Sequence, residues 1–92
     1  MAFRKILVLN RFKFELLNYL NVKLMKTYYV NKNAQSNGDH EVHTDDCSYL
    51  PISTNRKNLG EYSDCKPAVT EAKKTYSQSN GCQTCCSDCH TS

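Results

Sequence analysis

Gly81-Cys82-Gln83-Thr84-Cys85-Cys86-Ser87-Asp88-Cys89-His90-Thr91-Ser92 ends the sequence and carries four of its six cysteines and one of its three histidines. Two Cys-x2-Cys pairs overlap in it, Cys82/Cys85 and Cys86/Cys89. Such a turn sets two thiolates on one side of an ion and aims backbone N–H groups at the sulfurs, but a tetrahedral zinc needs four ligands. The other two are expected from His43-Thr44-Asp45-Asp46-Cys47, a His-x3-Cys in mid-chain. His43, Cys47, Cys82 and Cys85 then form a closed set of one histidine and three cysteines around Zn2+. The rival arrangement puts Cys86, Cys89 or His90 in place of one of them.

A chain of 92 residues makes one domain at most and buries a modest fraction of its surface, so a staple is expected. Apolar residues make up 39%, yet many of the large ones lie before residue 25: Phe3, Ile6, Leu7, Val8, Leu9, Phe12, Phe14, Leu16, Leu17, Leu20, Val22 and Leu24. Residues 25–92 hold few large aliphatics to fold on. A metal supplies the difference, because its binding to a site absent from the unfolded chain counts as folding free energy, about 10–16 kcal/mol apparent in zinc-finger peptides. Six cysteines could equally form disulfides in a secreted chain. The run Ile6-Leu7-Val8-Leu9 is broken by Asn10 and Arg11 after four residues, with no small-x-small cleavage site behind it. It is also too short to span a bilayer. We therefore expect a cytoplasmic protein whose cysteines bind metal rather than pair.

Outward from the two half-sites, local signals arrange the rest. Lys26-Thr27-Tyr28-Tyr29-Val30-Asn31 is rich in β-formers, Ser36-Asn37-Gly38 offers a turn needing positive φ, and His40-Glu41-Val42-His43 reads as the return strand. His40, three residues before His43, falls on the opposite face and reads as solvated or hydrogen-bonded. Thr44-Asp45-Asp46 turns the chain so that His43 and Cys47 meet, its aspartates serving as turn and supporting groups rather than calcium ligands. Ser48 to Ile52 is an irregular apolar stretch, and Lys57 to Tyr62 is a third strand. Asp64 is the expected N-cap of a helix, with Pro67 at the third helical position, where its missing N–H costs little. Cys65, Val69, Ala72 and Tyr76 form one apolar stripe, so Cys65 reads as a buried structural thiol and the helix as continuing to Ser77. His90, near the end, reads as a mobile tail residue. The expected fold class is α+β: a β-hairpin plus a third strand packed on one helix, zinc-stapled, with an appended N-terminal segment.

That segment, residues 1–24, carries five Lys or Arg against one Glu, a net of +4, whereas residues 25–92 carry seven against eight, a net of −1. Its pattern fits helix slightly better than strand. It reads either as a basic amphipathic stretch lying on a membrane or a partner, or, as we prefer, as an appendage to a core that starts near residue 25. Met25-Lys26-Thr27 would itself serve as a start. Because the folded part is nearly neutral, it lacks the basic patch usual in nucleic-acid binders. Gly occurs only at 38, 60 and 81, which makes a phosphate-cradling loop implausible, and no hydrolase, kinase or dinucleotide signature is present.

Taken together, His43-Thr44-Asp45-Asp46-Cys47, Ser48-Tyr49-Leu50, Asn58-Leu59-Gly60-Glu61-Tyr62, a helix from about Ser63, and Gly81-Cys82-Gln83-Thr84-Cys85 resemble the amino-terminal metal-binding domain of the Ada DNA-repair methyltransferase. The chain from Tyr28 also looks like small bacterial Cys/His-rich proteins sharing the run Asn37 to His43 and the ending Cys89-His90-Thr91-Ser92. The resemblance implies a tetrahedral zinc at positions 43, 47, 82 and 85, with histidine standing at 43 where the repair domain has cysteine. It does not carry over methyl transfer, which needs an anionic metal thiolate and DNA-binding segments beyond the domain. The expected function is a non-enzymatic zinc-binding interaction module with a protein or nucleic-acid partner. The alternatives are redox or metal-handling chemistry by the surplus Cys86, Cys89 and His90, and nucleic-acid binding by analogy.

Overall fold

The computed structural model describes residues 24–91, so the extension expected over residues 1–24 lies outside them except for Leu24. Strands β1 (Lys26–Asn31), β2 (His40–Thr44) and β3 (Arg56–Tyr62) precede helix α1 (Cys65–Lys73), which leads to a short strand β4 (Ser79–Gly81). The sheet order is β3-β1-β2-β4. β1 pairs antiparallel with both β2 and β3, whereas β4 lies parallel to β2. This is an α+β fold.

The β1–β2 hairpin follows from its turn. Gly38 takes φ 93°, the conformation expected of the Asn-Gly pair, and the Asn37 side chain accepts the Asp39 N–H at 2.9 Å. The β1–β3 ladder pairs Tyr28 with Gly60 and Tyr29 with Asn58, leaving Leu59 as the extra residue of a bulge. Gly60, at φ 109°, makes that bulge and turns Leu59 into the core.

α1 begins where the cap chemistry puts it. Asp64 Oδ1 accepts the Lys66 N–H at 2.7 Å, and Pro67 occupies the third helical position. Ala68 and Ala72 are fully buried and lack bulk, so the helix lies close on Tyr28, Val30, Val42 and Leu59; Cys65 and Cys86 complete this core. The helix stops at Lys73, short of the expected end near Ser77. The Thr75 and Tyr76 N–H groups both return to the Ala72 carbonyl, and Ser79 Oγ donates to the Tyr76 carbonyl, so the chain turns in time to enter the sheet. Tyr76, assigned to the helix stripe from the sequence, instead stacks on His40 at 3.9 Å between ring centroids. Ser79-Asn80-Gly81 has the composition of a turn, yet it pairs as a strand because His40 N–H reaches the Gln78 carbonyl and Cys82 N–H the Val42 carbonyl.

Candidate metal centre

Strand alternation and register put His43 on the same face as its partner Tyr29, opposite the face that carries Val42 and Val30 beneath the helix. The two halves of the site meet there. At the exit of β2, Cys47 N–H closes a turn onto the Thr44 carbonyl at 3.2 Å, which folds Cys47 back toward His43. Asp46 holds that turn by accepting from Thr44 Oγ1 at 2.7 Å and from Lys26 Nζ at 3.0 Å. Asp45 and Asp46 thus act as the turn and support groups expected. β4, running parallel to β2, delivers Cys82 directly after Gly81, and the Cys86 N–H returns to the Cys82 carbonyl at 2.8 Å to form the Cys-x2-Cys knuckle.

Among the described residues, one potential ligand atom from each of His43, Cys47, Cys82 and Cys85 lies within 4.8 Å of every other. A tetrahedron with Zn–S near 2.3 Å and Zn–N near 2.0–2.1 Å has edges of about 3.8 Å between sulfurs and about 3.6 Å from nitrogen to sulfur. The observed separations are 3.5 Å from Cys47 Sγ to His43 Nδ1, 3.8 Å from Cys85 Sγ to His43 Nδ1, and 4.0 Å from Cys47 Sγ to Cys82 Sγ. These four residues fit a tetrahedral ion with little adjustment.

The electrostatics suit a cation. Burial pushes the His43 pKa down, so the imidazole is neutral, the form that ligates. Its Nδ1 faces the sulfurs while Nε2 points at Glu41 Oε1, 3.8 Å away. Glu41 is itself raised above the usual carboxylate range, chiefly by burial. At 3.8 Å Glu41 does not hydrogen-bond the ring, so it acts on a ligating imidazole through nearby charge rather than by fixing its tautomer. Sequence reasoning missed Glu41, although period-two alternation puts it on the face of His43. Burial, then hydrogen bonding and charge from Cys85, pushes the Cys47 thiol up to about 12. Cys85 moves the other way: burial acts to raise it, but bonds from Cys47 and from the Thr44 N–H, 3.4 Å from its sulfur, hold it below the ordinary thiol range. The Cys47 and Cys85 thiols are thus pushed in opposite directions by their mutual contact, and a bound dication would favour the thiolate form of both.

The surplus residues fall outside this cluster. Cys65 is buried as expected, but it is no free thiol: it forms a disulfide with Cys89. The expectation that the cysteines bind metal rather than pair therefore fails for these two. The signal was arithmetic, since three ligands out of six cysteines leave Cys65, Cys86 and Cys89, enough for one pair and one thiol. Cys86 is the free thiol, buried in the core and pushed up to about 12, first by burial and then by Cys85. None of Cys86, Cys89 and His90 displaces a member of the four-residue cluster. The tail reading of His90 is also corrected: its Nδ1 lies 2.9 Å from the Gly81 carbonyl, and Thr91 N–H donates to Asn80 Oδ1 at 2.9 Å. His40 is hydrogen-bonded as expected, its Nδ1 2.9 Å from the Asn31 carbonyl.

Among the described residues no helix is long and apolar enough to cross a membrane. Comparison with protein-family models, with curated proteins and with solved structures finds no match to this chain.

Proposed function

We propose that this chain is a non-enzymatic zinc-binding module in which His43 Nδ1 and the sulfurs of Cys47, Cys82 and Cys85 hold one structural Zn2+, and which serves as an interaction domain. The observation that carries the reading is the convergence of four soft or borderline donors at near-tetrahedral separations from two segments almost forty residues apart. Three thiolates with one imidazole select zinc over magnesium or calcium, which require oxygen ligands. A set of four protein ligands leaves no open position for water or substrate, which favours a structural over a catalytic metal. The order hairpin, His-x3-Cys, strand, helix, Gly-Cys-x2-Cys supports kinship with the Ada-type metal-binding domain, without its methyl transfer. Tyr49 and Ile52, 66% and 69% exposed on the segment after Cys47, supply apolar surface for a protein partner.

Elemental analysis and native mass spectrometry of the purified chain should find one zinc per chain. Dialysis against a strong chelator should then collapse the circular dichroism spectrum and lower the melting temperature. A metal-free protein whose melting is indifferent to added zinc would overturn the reading. Cobalt substitution reports the ligand set directly, because a tetrahedral thiolate-rich site gives intense visible absorption that Cys47→Ser should weaken.

A further inference from the structure

Beside the metal centre, a cavity of about 410 Å³ opens between the start of α1 and the Cys85–Asp88 turn. Cys65 lines it together with Asp64, Lys66, Cys86 and Asp88, whereas its disulfide partner Cys89 does not. Cys65 keeps only 7% of its surface exposed and Cys89 is half-buried, so the disulfide sits at the edge of the core, with Cys65 bordering a space large enough for a small molecule and lined by Lys66 and the carboxylates of Asp64 and Asp88.

We propose that Cys65–Cys89 is an exchangeable redox centre that reacts through this cavity with low-molecular-weight thiols. A thiolate RS− attacks the sulfur of Cys65; the RS–S(Cys65) bond forms, the Cys65–Cys89 bond breaks, and Cys89 leaves as a thiolate that takes a proton from water. A second RS− attacks the RS sulfur of this mixed disulfide, releasing the Cys65 thiolate and RSSR. In sum two small thiols are oxidised to one disulfide while the chain's disulfide gains two electrons and becomes two thiols; the reverse sequence oxidises the chain.

The turn carrying Cys89 does not depend on the disulfide alone. Cys89 N–H bonds the Cys86 carbonyl at 3.0 Å, His90 holds the Gly81 carbonyl, and Thr91 holds Asn80. Cys82 N–H bonds the Val42 carbonyl, and Cys85 Sγ accepts the Thr44 N–H. Opening the disulfide is thus separable from the metal centre, and the reduced chain keeps its zinc.

The test equilibrates the zinc-loaded full chain with glutathione buffers of graded reduced-to-oxidised ratio, acid-quenches, alkylates and maps the thiols by mass spectrometry, with zinc content read on the same samples. Cys65 and Cys89 should pass together from paired to free within the millimolar buffer range, with zinc retained. A disulfide that stays intact until denaturant is added, or that opens only as zinc is lost, overturns the proposal. If the protein holds no zinc at all, the metal reading fails but the titration still reads the disulfide. In Cys89→Ser, oxidised glutathione should form a mixed disulfide on Cys65, and in Cys65→Ser that adduct should be lost. Equal labelling of Cys89 in Cys65→Ser refutes attack through the cavity.

Discussion

Replacing Gly81 by alanine tests how tightly the two halves of the site are built around one backbone position. A Cβ there would meet the Cys86 carbonyl oxygen at 2.6 Å, Cys89 Cβ at 2.8 Å and the Cys89 carbonyl carbon at 2.9 Å. Non-bonded carbons rest at about 3.5–4.0 Å, so the turn would have to retreat by roughly 0.6–1 Å. It cannot do so freely, because two of the three atoms are backbone and Cys89 is tied to α1. Overpacking of this kind costs about 1–3 kcal/mol, and the rigidity of the turn puts Gly81→Ala in the upper half of that range. With about 4–8 °C of melting temperature per kcal/mol in a domain of this size, a loss of about 10–20 °C is expected. Gly60→Ala is the comparison: φ is 109° there, but the nearest atom to a Cβ is Tyr62 Oη at 3.5 Å, so only the backbone conformation is penalised. That variant should lose about 1 kcal/mol, or roughly 5 °C. Thermal melts of the two zinc-loaded variants by circular dichroism, with zinc affinity from chelator competition, decide the matter. If Gly81→Ala melts no lower than Gly60→Ala and binds zinc as the parent does, the turn is not packed against β4 as described.

Other expectations concern the site's periphery. Glu41→Gln keeps the shape beside His43 Nε2 but removes the carboxylate, and zinc affinity in chelator competition should fall by less than the roughly 10-fold that loss of a hydrogen-bonded partner costs. Because Cys47 is pushed up to about 12, it is protonated near neutrality and must give up its proton to the metal. Calorimetry in buffers of different ionisation enthalpy should therefore show at least one proton released per zinc, and affinity falling with pH. In any folded metal-free protein, the depressed His43 pKa means that the unfolded chain binds the proton more readily. That contribution to stability is complete above the ordinary histidine value of about 6.5 and is lost as pH falls below it toward the lower folded value, so melting temperature should decline over that window, less so in His43→Gln. Asp64→Ala removes the acceptor for the Lys66 N–H and should cost about 1 kcal/mol in denaturant melts.

Much of the fold and the meeting of His43, Cys47, Cys82 and Cys85 was legible in the chain because local chemistry and tertiary demand agree. Tyr28 to Val30 form a strand by propensity and by burial, Asp64 caps a helix in sequence and in space, and His43 with Cys47 converges across a turn that Thr44 and Asp46 stabilise nearby. The failures occur where a residue's state is fixed from far away. Ser79-Asn80-Gly81 has turn composition and becomes a strand only because β2 offers it an edge. Cys65 fits an apolar stripe whether reduced or oxidised, so nothing within its own helix announces Cys89. The short helix is decided likewise by where β4 must begin.

A metal held by the four-residue cluster would be a second cross-link that interleaves with the disulfide. Cys47 and Cys82/Cys85 meet in that cluster, while Cys65 and Cys89 pair, so each link would have one end inside the span of the other. With metal bound, a protease nick therefore has a connectivity that depends on where it falls. Cut between Cys47 and Cys65, the two fragments are joined by the metal alone and part under a chelator. Cut between Cys65 and Cys82, they are joined twice and part only when chelator and reductant act together. Cut between Cys85 and Cys89, reductant alone releases the tail. The chain thus has a middle stretch that neither reagent can set free by itself, bounded on each side by stretches that one reagent can.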